Sequence, residues 1–293
     1  MSWDFVARLR WVEEVYGAKL LISVGLCIFC GMDGVRYLIK GASAMKVLIS
    51  AGGTSERIDN IRSITNHSTG RLGSIIADKF ALCGSQVIYL CGERALLPQS
   101  KNIEVVRISG VQSLIDSMEQ LFASHKFDCI IHSMAVSDFT PKGSVSVDEI
   151  AENVLHALEN DISLDAIKSA ILLSCRPLSG NKISSRSSNL MIMLENTPKV
   201  IGLIRKMQPE TVLVGFKLLS DVPENELVQV ARDLLIQNAC DLVLANDLRD
   251  IDGDNHKAIL MDRHDILCKA DTKQEIADAI YSTVLSTCEK KER

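Results

Sequence analysis

Short apolar runs alternate along most of the chain with longer segments in which apolar residues recur every three or four positions. Such runs are typical of buried strands, and the helical spacing between them is typical of amphipathic helices. Because apolar strands that alternate with helices form parallel sheets covered on both faces, the pattern predicts a doubly wound, mainly parallel α/β fold. The strands are predicted over residues 46–50, 86–92, 103–109, 127–136, 211–219 and 240–247.

Helices, a late hairpin and one long polar segment complete this Rossmann-like prediction. The helices are predicted over residues 73–84, 111–125, 225–238 and 273–285. Residues 258–268 predict a late β-hairpin. Residues 178–189, with the sequence LSGNKISSRSSN, predict a flexible segment because they combine glycine with many short polar side chains.

The first 44 residues differ in character from the rest of the chain. Their apolar run at residues 20–32 is shorter than the about 20 residues that a membrane span needs. Acidic residues stand where a signal peptide carries positive charge, so we expect neither export nor membrane insertion. Met45 then begins an apolar strand, and a misassigned start codon or a dispensable extension would explain what precedes it. We therefore predict an extension over residues 1–44 and one domain over residues 45–293.

Charge and cysteine content restrict the class of partner and the compartment. The net charge is −5, and the isoelectric point of about 5.7 argues against nucleic acid as a partner, since phosphate backbones require a basic surface. The nine cysteines are scattered through apolar sequence, which is typical of buried thiols in a reducing, cytoplasmic compartment. Cys27 and Cys30 form the only C-x-x-C pair and lie in an apolar run, so we do not interpret them as a metal site.

The loops that follow the predicted strands are where a ligand is expected, because parallel sheets bind ligands at the carboxyl ends of their strands. Gly52, Gly53 and Thr54 follow the first strand. Their backbone amides would cradle a phosphate, or the two glycines would form only a tight turn. The segment matches neither G-x-G-x-x-G nor a P-loop.

A second loop, with the sequence SITNHSTGRLG, contains more short polar residues than a helix cap requires. Ser68, Thr69 and Gly70 lie at the predicted helix start, where amides and the helix dipole favour an anion. Arg62 would bind a carboxylate or phosphate as a two-pronged donor, or it would be an ordinary solvated charge.

Two further polar residues follow later strands. Asp138 would bind a ribose hydroxyl or a metal, or it would cap a helix. Lys182 lies in the polar segment, from which a mobile cation would close over phosphates. No Tyr-x-x-x-Lys pair occurs, which disfavours a short-chain reductase. The residues alone therefore predict a nucleotide or phosphate-ester site on a doubly wound sheet.

The order of these loops is similar to that of a known family. The segments SAGGTSERIDNIRSITNHSTGRLG, HSMAVSDF, KISS, VGFKLLSD and LVLANDL follow one another in the chain. Over about residues 45–290 they resemble phosphopantothenate–cysteine ligase in its monofunctional bacterial form. The resemblance implies a reaction in which a carboxylate attacks the α-phosphate of a nucleoside triphosphate, commonly CTP with Mg²⁺, and cysteine then displaces the nucleotide.

The resemblance also implies roles for the residues singled out above. Asn66 would contact the acyl-phosphate intermediate with Arg62 beside it, and Lys182 would stabilise charge on the α-phosphate. Ser68, Thr69 and Gly70 would bind the substrate phosphate. The nucleotide would be held by Gly52, Gly53, Thr54, His132, Ser133, Met134, Ala135, Asp138, Lys182, Pro198 and Phe216. The resemblance assigns no metal ligands.

The resemblance further implies a homodimer and a separate flavin-dependent decarboxylase, since 44 residues are too few to hold that domain. This chain has KISS where bifunctional relatives carry Lys-x-Lys-Lys, and it has Leu234 and Asn238 at places where they carry lysines. The preference for CTP over ATP therefore stays open. The main alternative is a non-catalytic nucleotide-binding regulatory protein of the same fold. A Rossmann oxidoreductase is disfavoured by the absence of G-x-G-x-x-G.

Overall fold

The computed structural model describes residues 44–159, 161–178 and 189–291, together with three short strands between residues 21 and 38. The strands in chain order are β1 (Leu21–Ser23), β2 (Leu26–Gly31), β3 (Gly34–Leu38), β4 (Lys46–Ala51), β5 (Ser55–Arg57), β6 (Ser63–Thr65), β7 (Gln86–Gly92), β8 (Glu104–Ile108), β9 (Cys129–His132), β10 (Phe139–Ser146), β11 (Arg176–Pro177), β12 (Leu190–Asn196), β13 (Val212–Leu219), β14 (Leu242–Asp252), β15 (Asn255–Met261) and β16 (Ile266–Thr272). The helices are α1 (Arg71–Leu82), α2 (Val111–Ser124), α3 (Val147–Leu158), α4 (Leu164–Ser174), α5 (Val200–Met207), α6 (Glu224–Gln237) and α7 (Lys273–Lys291).

An eight-stranded sheet organises the domain, with the strand order β16-β15-β14-β13-β9-β4-β7-β8. Within this sheet the six strands β8, β7, β4, β9, β13 and β14 run parallel to one another. Strands β15 and β16 are antiparallel to their neighbours. The predicted doubly wound sheet, its strands, its helices and the late hairpin are therefore confirmed. Strand order reverses between β4 and β9, so the crevice expected for a ligand lies at the carboxyl ends of these two strands.

Side chains of the central strands alternate between two buried layers because successive strand residues point to opposite faces. Val47 and Ile49 belong to the core layer that includes residues of α1 and α7, whereas Leu48 belongs to the layer on the other face, which includes residues of α2, α5 and α6. These three side chains are fully buried, and each contributes about 1.5–3 kcal/mol of hydrophobic stabilisation. Near-continuous apolar strands thus follow directly from a sheet that is covered on both sides.

A smaller antiparallel sheet, with the order β11-β10-β12, was not predicted from the sequence. Strand β10 contains Pro141 and Gly143, which weaken a strand pattern, and helix α3 has no fully buried residue. Strand β10 therefore lacks the alternation on which a strand prediction rests, whereas α3 was missed although its apolar residues recur at helical spacing from Val147 to Leu158. The predicted flexible segment lies for the most part outside the described residues, which resume at residue 189.

Strands β1, β2 and β3 form an antiparallel sheet within the predicted extension. Among the helices that the structure describes, none is long and apolar enough to cross a membrane. The division into an extension and a domain stays a prediction.

His256 is an unusual feature of the core, because both of its ring nitrogens are buried without a hydrogen-bond partner. Burial, followed by the nearby positive charge of Lys273, lowers the pKa of His256 to about 4. The unfolded chain binds a proton at about pH 6.5, whereas the folded chain does so only near its lowered pKa. The folded state is therefore destabilised relative to the unfolded state as the pH falls from about 6.5 towards about 4.

We predict that the free energy of unfolding falls by about 1.4 kcal/mol per pH unit on account of His256 between its two pKa values. Replacing His256→Leu should remove this contribution, and urea unfolding at about pH 7 and about pH 5 measures it. The exposed His264 provides the control, since His264→Leu should leave the slope unchanged. Equal slopes in the wild type and His256→Leu would contradict the prediction.

Candidate functional site

The loop after β4 is built for close backbone contact. Gly52 has a φ of +81°, and a Cβ added there would lie 2.6 Å from the Cβ of Ala95. A Cβ on Gly53 would lie 2.3 Å from the carbonyl oxygen of Asn66. Only glycine fits either position, so the sequence pair reflects more than a simple tight turn.

Hydrogen bonds join this loop to the one after β9. The Ala135 amide donates to the Gly52 carbonyl over 2.8 Å, and the Thr54 amide donates to the Ala135 carbonyl over 3.1 Å. The buried Thr54 hydroxyl accepts from the Ser137 amide over 2.9 Å. The two predicted segments therefore meet at the reversal of strand order and bring Ala135 against Gly53, while Ser133 and Met134 precede it in the same loop.

Asn66 connects a third segment to the same point. Its amide donates to the Thr54 carbonyl over 3.3 Å, and its side-chain Nδ2 donates to the Ala135 carbonyl over 3.3 Å. Helix α1 begins only at Arg71 and is preceded by Gly70 as its N-cap, so Asn66 is not the helix cap. Its carboxamide belongs to the junction of the two loops.

The start of α1 provides an anion-binding nest. Gly70 has a φ of +70° and no side chain to cap the helix, the Thr69 hydroxyl accepts from the Arg71 amide over 3.4 Å, and the first turn contains no acidic residue. Ser68 is half-buried and Thr69 is exposed beside it. Because the first amides of a helix lack intrahelical acceptors and the helix dipole is positive there, the arrangement favours a phosphate or carboxylate.

His132 ends β9 and is 7% exposed. Its Nδ1 lies 2.7 Å from the hydroxyl of the fully buried Ser50, and burial lowers the pKa of His132 to about 4. If the Ser50 hydroxyl donates to Nδ1 of His132, the hydroxyl proton has an acceptor. If Nδ1 instead donated to Ser50, the hydroxyl proton would have no acceptor in this bond. We therefore assign the neutral tautomer with its proton on Nε2, which makes His132 an uncharged donor at the crevice.

Asp138 lies at the same edge and forms an exposed ion pair with Lys199. It does not cap a helix, since strand β10 follows it directly. Its carbonyl accepts from the Thr197 amide over 3.0 Å, which brings the exposed Pro198 close to the site. Phe216 is half-buried on β13, whose carboxyl end belongs to this edge of the sheet.

Arg62 and Lys182 complete the predicted set. Arg62 donates from Nε and Nη2 to Oδ2 of the buried Asp59 over 3.0 and 2.6 Å, and its own side chain is 46% exposed. Its two-pronged donor geometry therefore binds a carboxylate of its own loop. Lys182 lies outside the described residues.

Three residues near the site were missed in the sequence. Lys199 pairs with Asp138, 61 positions away, and no local pattern indicates this. The buried Glu56 accepts from the amide of Val111 and from the hydroxyl of Thr140, both over 2.8 Å. The third, Asp247, was within a quoted loop segment but was not singled out.

Asp247 is 3% exposed and fixes the loop between β13 and α6. It accepts from the amides of Asp221 and Val222 over 3.1 and 2.9 Å and from that of Arg249 over 3.0 Å. The Val222 amide, with the other two, lowers the pKa of Asp247. The described residues contain no group of three His, Cys, Asp or Glu side chains arranged to hold a metal.

The sheet places this chain in the class of doubly wound α/β proteins, whose ligands bind where the strand order reverses. Residues 42–148 and 145–287 match the DNA/pantothenate metabolism flavoprotein C-terminal domain, and the chain belongs to this family. A crystal structure described as the DNA/pantothenate metabolism flavoprotein from Streptococcus pneumoniae is 37% identical, has a TM-score of 0.70, and is matched over 83% of this chain and 100% of that one.

Two further similar proteins share less sequence identity with this chain. The coenzyme A biosynthesis bifunctional protein CoaBC of Thermococcus kodakarensis is 28% identical over 84% of this chain. This chain covers 52% of that protein and thus spans about half its length. A Cab2 mutant in complex with phosphopantothenate-cysteine shares the fold, with 19% identity, a TM-score of 0.60 and coverage of 84% of this chain and 87% of that one.

We predict that Gly53→Ala lowers the free energy of unfolding by about 1–3 kcal/mol, because its Cβ would press on the Asn66 carbonyl and force the loops apart. Gly202→Ala is the matched control, since a Cβ there meets only the Asn238 side chain at 3.4 Å. Urea unfolding compares the two variants. A Gly53→Ala protein as stable as Gly202→Ala would refute the close approach.

Proposed function

We propose that this chain is a phosphopantothenate–cysteine ligase of coenzyme A biosynthesis. The carboxylate of 4′-phosphopantothenate attacks the α-phosphate of a nucleoside triphosphate, which gives an acyl-nucleotidate and pyrophosphate. The amine of cysteine then attacks the acyl carbon and releases the nucleoside monophosphate. Family membership supports this reaction, and the site has the donors that it needs.

One observation carries the proposal: the Asn66 carboxamide lies where the loops after β4 and β9 join, beside the nest at Gly70. Negative charge develops on the α-phosphate oxygens when the mixed anhydride forms, and on the acyl oxygen when cysteine attacks it. Fixed neutral donors stabilise such charge without the cost of burying cations. Asn66, the uncharged His132 and the backbone amides at the start of α1 are donors of this kind.

CTP is the proposed nucleotide, and Mg²⁺ is proposed to accompany it. Magnesium commonly binds through substrate phosphates and water with one or two carboxylates, which fits a site whose described part has no three-residue ligand cluster. When bound, the ion would neutralise phosphate charge. Leu234 is half-buried in the core, and Asn238 donates to its carbonyl over 3.3 Å, so neither position offers a cation to the triphosphate.

The decisive experiment measures pyrophosphate release with phosphopantothenate and cysteine, using CTP, ATP, GTP and UTP in parallel. We expect release that requires both other substrates and is fastest with CTP. A protein that binds nucleotide yet releases no pyrophosphate would instead be a regulatory protein of the same fold. Specific binding of a nicotinamide cofactor would favour an oxidoreductase.

Asn66→Ala should reduce overall turnover by about a hundredfold, as expected when one donor to a developing oxyanion is removed. The loss of its bond to the Ala135 carbonyl should cost only about 1 kcal/mol of stability. Asn153→Ala is the control, because it loses a comparable side-chain bond, to Ser174, between α3 and α4. Single-turnover measurement with labelled CTP separates activation from amide formation, and wild-type turnover in Asn66→Ala would rule out the role.

Lys182→Ala should slow formation of the acyl-nucleotidate, since the cation is proposed to oppose charge that develops on the α-phosphate. Its melting temperature should equal that of the wild type. Lys206→Ala, which removes an exposed lysine of α5, serves as the control in the same single-turnover assay. An unchanged rate of activation would exclude Lys182 from this step.

The proposed partners are a second copy of this chain and a separate flavin-dependent decarboxylase, in the cytoplasm. The α3–α4 segment supports self-association because it exposes Leu155, Ile162 and Leu173, which are 68%, 89% and 85% accessible. We predict a homodimer in sedimentation at assay concentrations. An active monomer would contradict this prediction.

A further inference from the structure

The loop after β7 contains an arginine, Arg94, directly beside a residue that packs against the anion nest. Arg94 is exposed, and it makes no hydrogen bond or ion pair with the residues that the structure describes. Its neighbour Ala95 is 7% exposed and lies against both glycines of the site. A Cβ on Gly52 would lie 2.6 Å from the Ala95 Cβ, and one on Gly70 would lie 3.1 Å from it. Arg94 is therefore fixed to a backbone that touches both phosphate-binding segments.

The same loop is held by more bonds than an ordinary surface turn requires. Nη1 of Arg107 donates to the carbonyls of Gly92 and Glu93 over 2.9 and 2.7 Å, and to that of Ala95 over 3.3 Å. The Leu96 amide donates to the Thr69 carbonyl over 2.9 Å, which ties the loop to the nest itself.

Tyr89 secures this junction from within the core. Its fully buried hydroxyl lies 3.0 Å from the carbonyl of Leu96 and 3.3 Å from that of Gly70. The loop and the nest therefore hold a fixed spacing, and the backbone that carries Arg94 is preorganised for a ligand in the nest.

Three other cations in the loops around the site form ion pairs. Arg71 pairs with Asp254 over 2.6 Å, and Arg62 donates to Asp59. Lys199 pairs with Asp138 across the crevice. Arg94 has no carboxylate partner among the described residues, so binding a phosphate there would not require an existing ion pair to break.

We propose that Arg94 is a substrate-binding residue whose guanidinium contacts a phosphate group held at the Gly70 nest. This inference rests on the proposed function, because it requires phosphorylated substrates. The phosphate would come from the nucleotide or from phosphopantothenate. A guanidinium suits either, since its paired N–H groups match two phosphate oxygens.

The test compares Arg94→Gln and Arg94→Lys with Arg263→Gln, which removes an exposed arginine from the turn between β15 and β16 at the opposite edge of the sheet. KM is measured for Mg·CTP, for phosphopantothenate and for cysteine, together with the melting temperature. We expect Arg94→Gln to raise KM for one phosphorylated substrate by about tenfold or more. Arg94→Lys should recover part of this loss. The melting temperature and KM for cysteine should not change.

The substrate whose KM rises identifies the source of the phosphate, and either source supports the proposal. Wild-type KM values for both phosphorylated substrates in Arg94→Gln, or an equal loss in Arg263→Gln, would overturn it while leaving the ligase function intact. Absence of CTP-dependent pyrophosphate release from the wild-type protein would overturn the ligase function, and with it this role for Arg94.

Discussion

Close approach of backbone to backbone at the carboxyl end of β4 is the constraint on which the rest of the site depends. A Cβ on Gly92 would lie 2.3 Å from the Gly53 carbonyl oxygen. One on Gly73 would lie 2.4 Å from the Ala51 Cβ and 2.9 Å from the Ser133 hydroxyl. Because these positions lack side chains, helix α1 and the loop after β7 both close directly onto the end of β4. The anion nest exists only because this contact is permitted.

The closed junction also explains why the side chains where the loops join are uncharged. Burying a cation there would cost several kcal/mol unless a partner and further hydrogen bonds compensated it. The chain instead places Asn66, Ser50 and an uncharged His132 at the junction and keeps its arginines and lysines at the rim. A ligand would therefore meet charged side chains at the rim of the site, and the polar but uncharged side chains of Asn66, Ser50 and His132 inside it.

The central sheet followed from the sequence because apolar strands that must be buried on both faces leave a strong pattern. The position of the site followed from the same topology, since β4 and β9 end beside the point where strand order reverses. Pairings over long sequence distances did not follow. Ser50 meets His132 across 82 positions, and Glu56 meets Val111 across 55, and no periodicity links such residues.

The second sheet was missed for a different physical reason. Its central strand β10 contains Pro141 and Gly143, which interrupt a strand pattern, whereas β12 and α3 do have apolar residues but remain largely exposed in the fold. The prediction that Arg62 binds a ligand also left out its ion pair with Asp59. Asp59 lies only three positions from Arg62 in the sequence. Its carboxylate is buried, and this burial is a property of the fold that the sequence does not show.

Two ion pairs, one at each end of the parallel strands, differ in how far they are buried and therefore in how easily a ligand could separate them. At the edge opposite the site, Arg205 pairs with Asp241 at 2.6 Å, and the two side chains are 17% and 19% exposed. Arg205 also donates to the carbonyls of Ala239, Pro209 and Thr211. Removing one partner there would leave a partly buried charge, so this pair is fixed. Asp138 and Lys199 are instead 66% and 73% exposed. An exposed pair is worth at most about 1 kcal/mol, so a ligand that offers either residue a better partner can separate them.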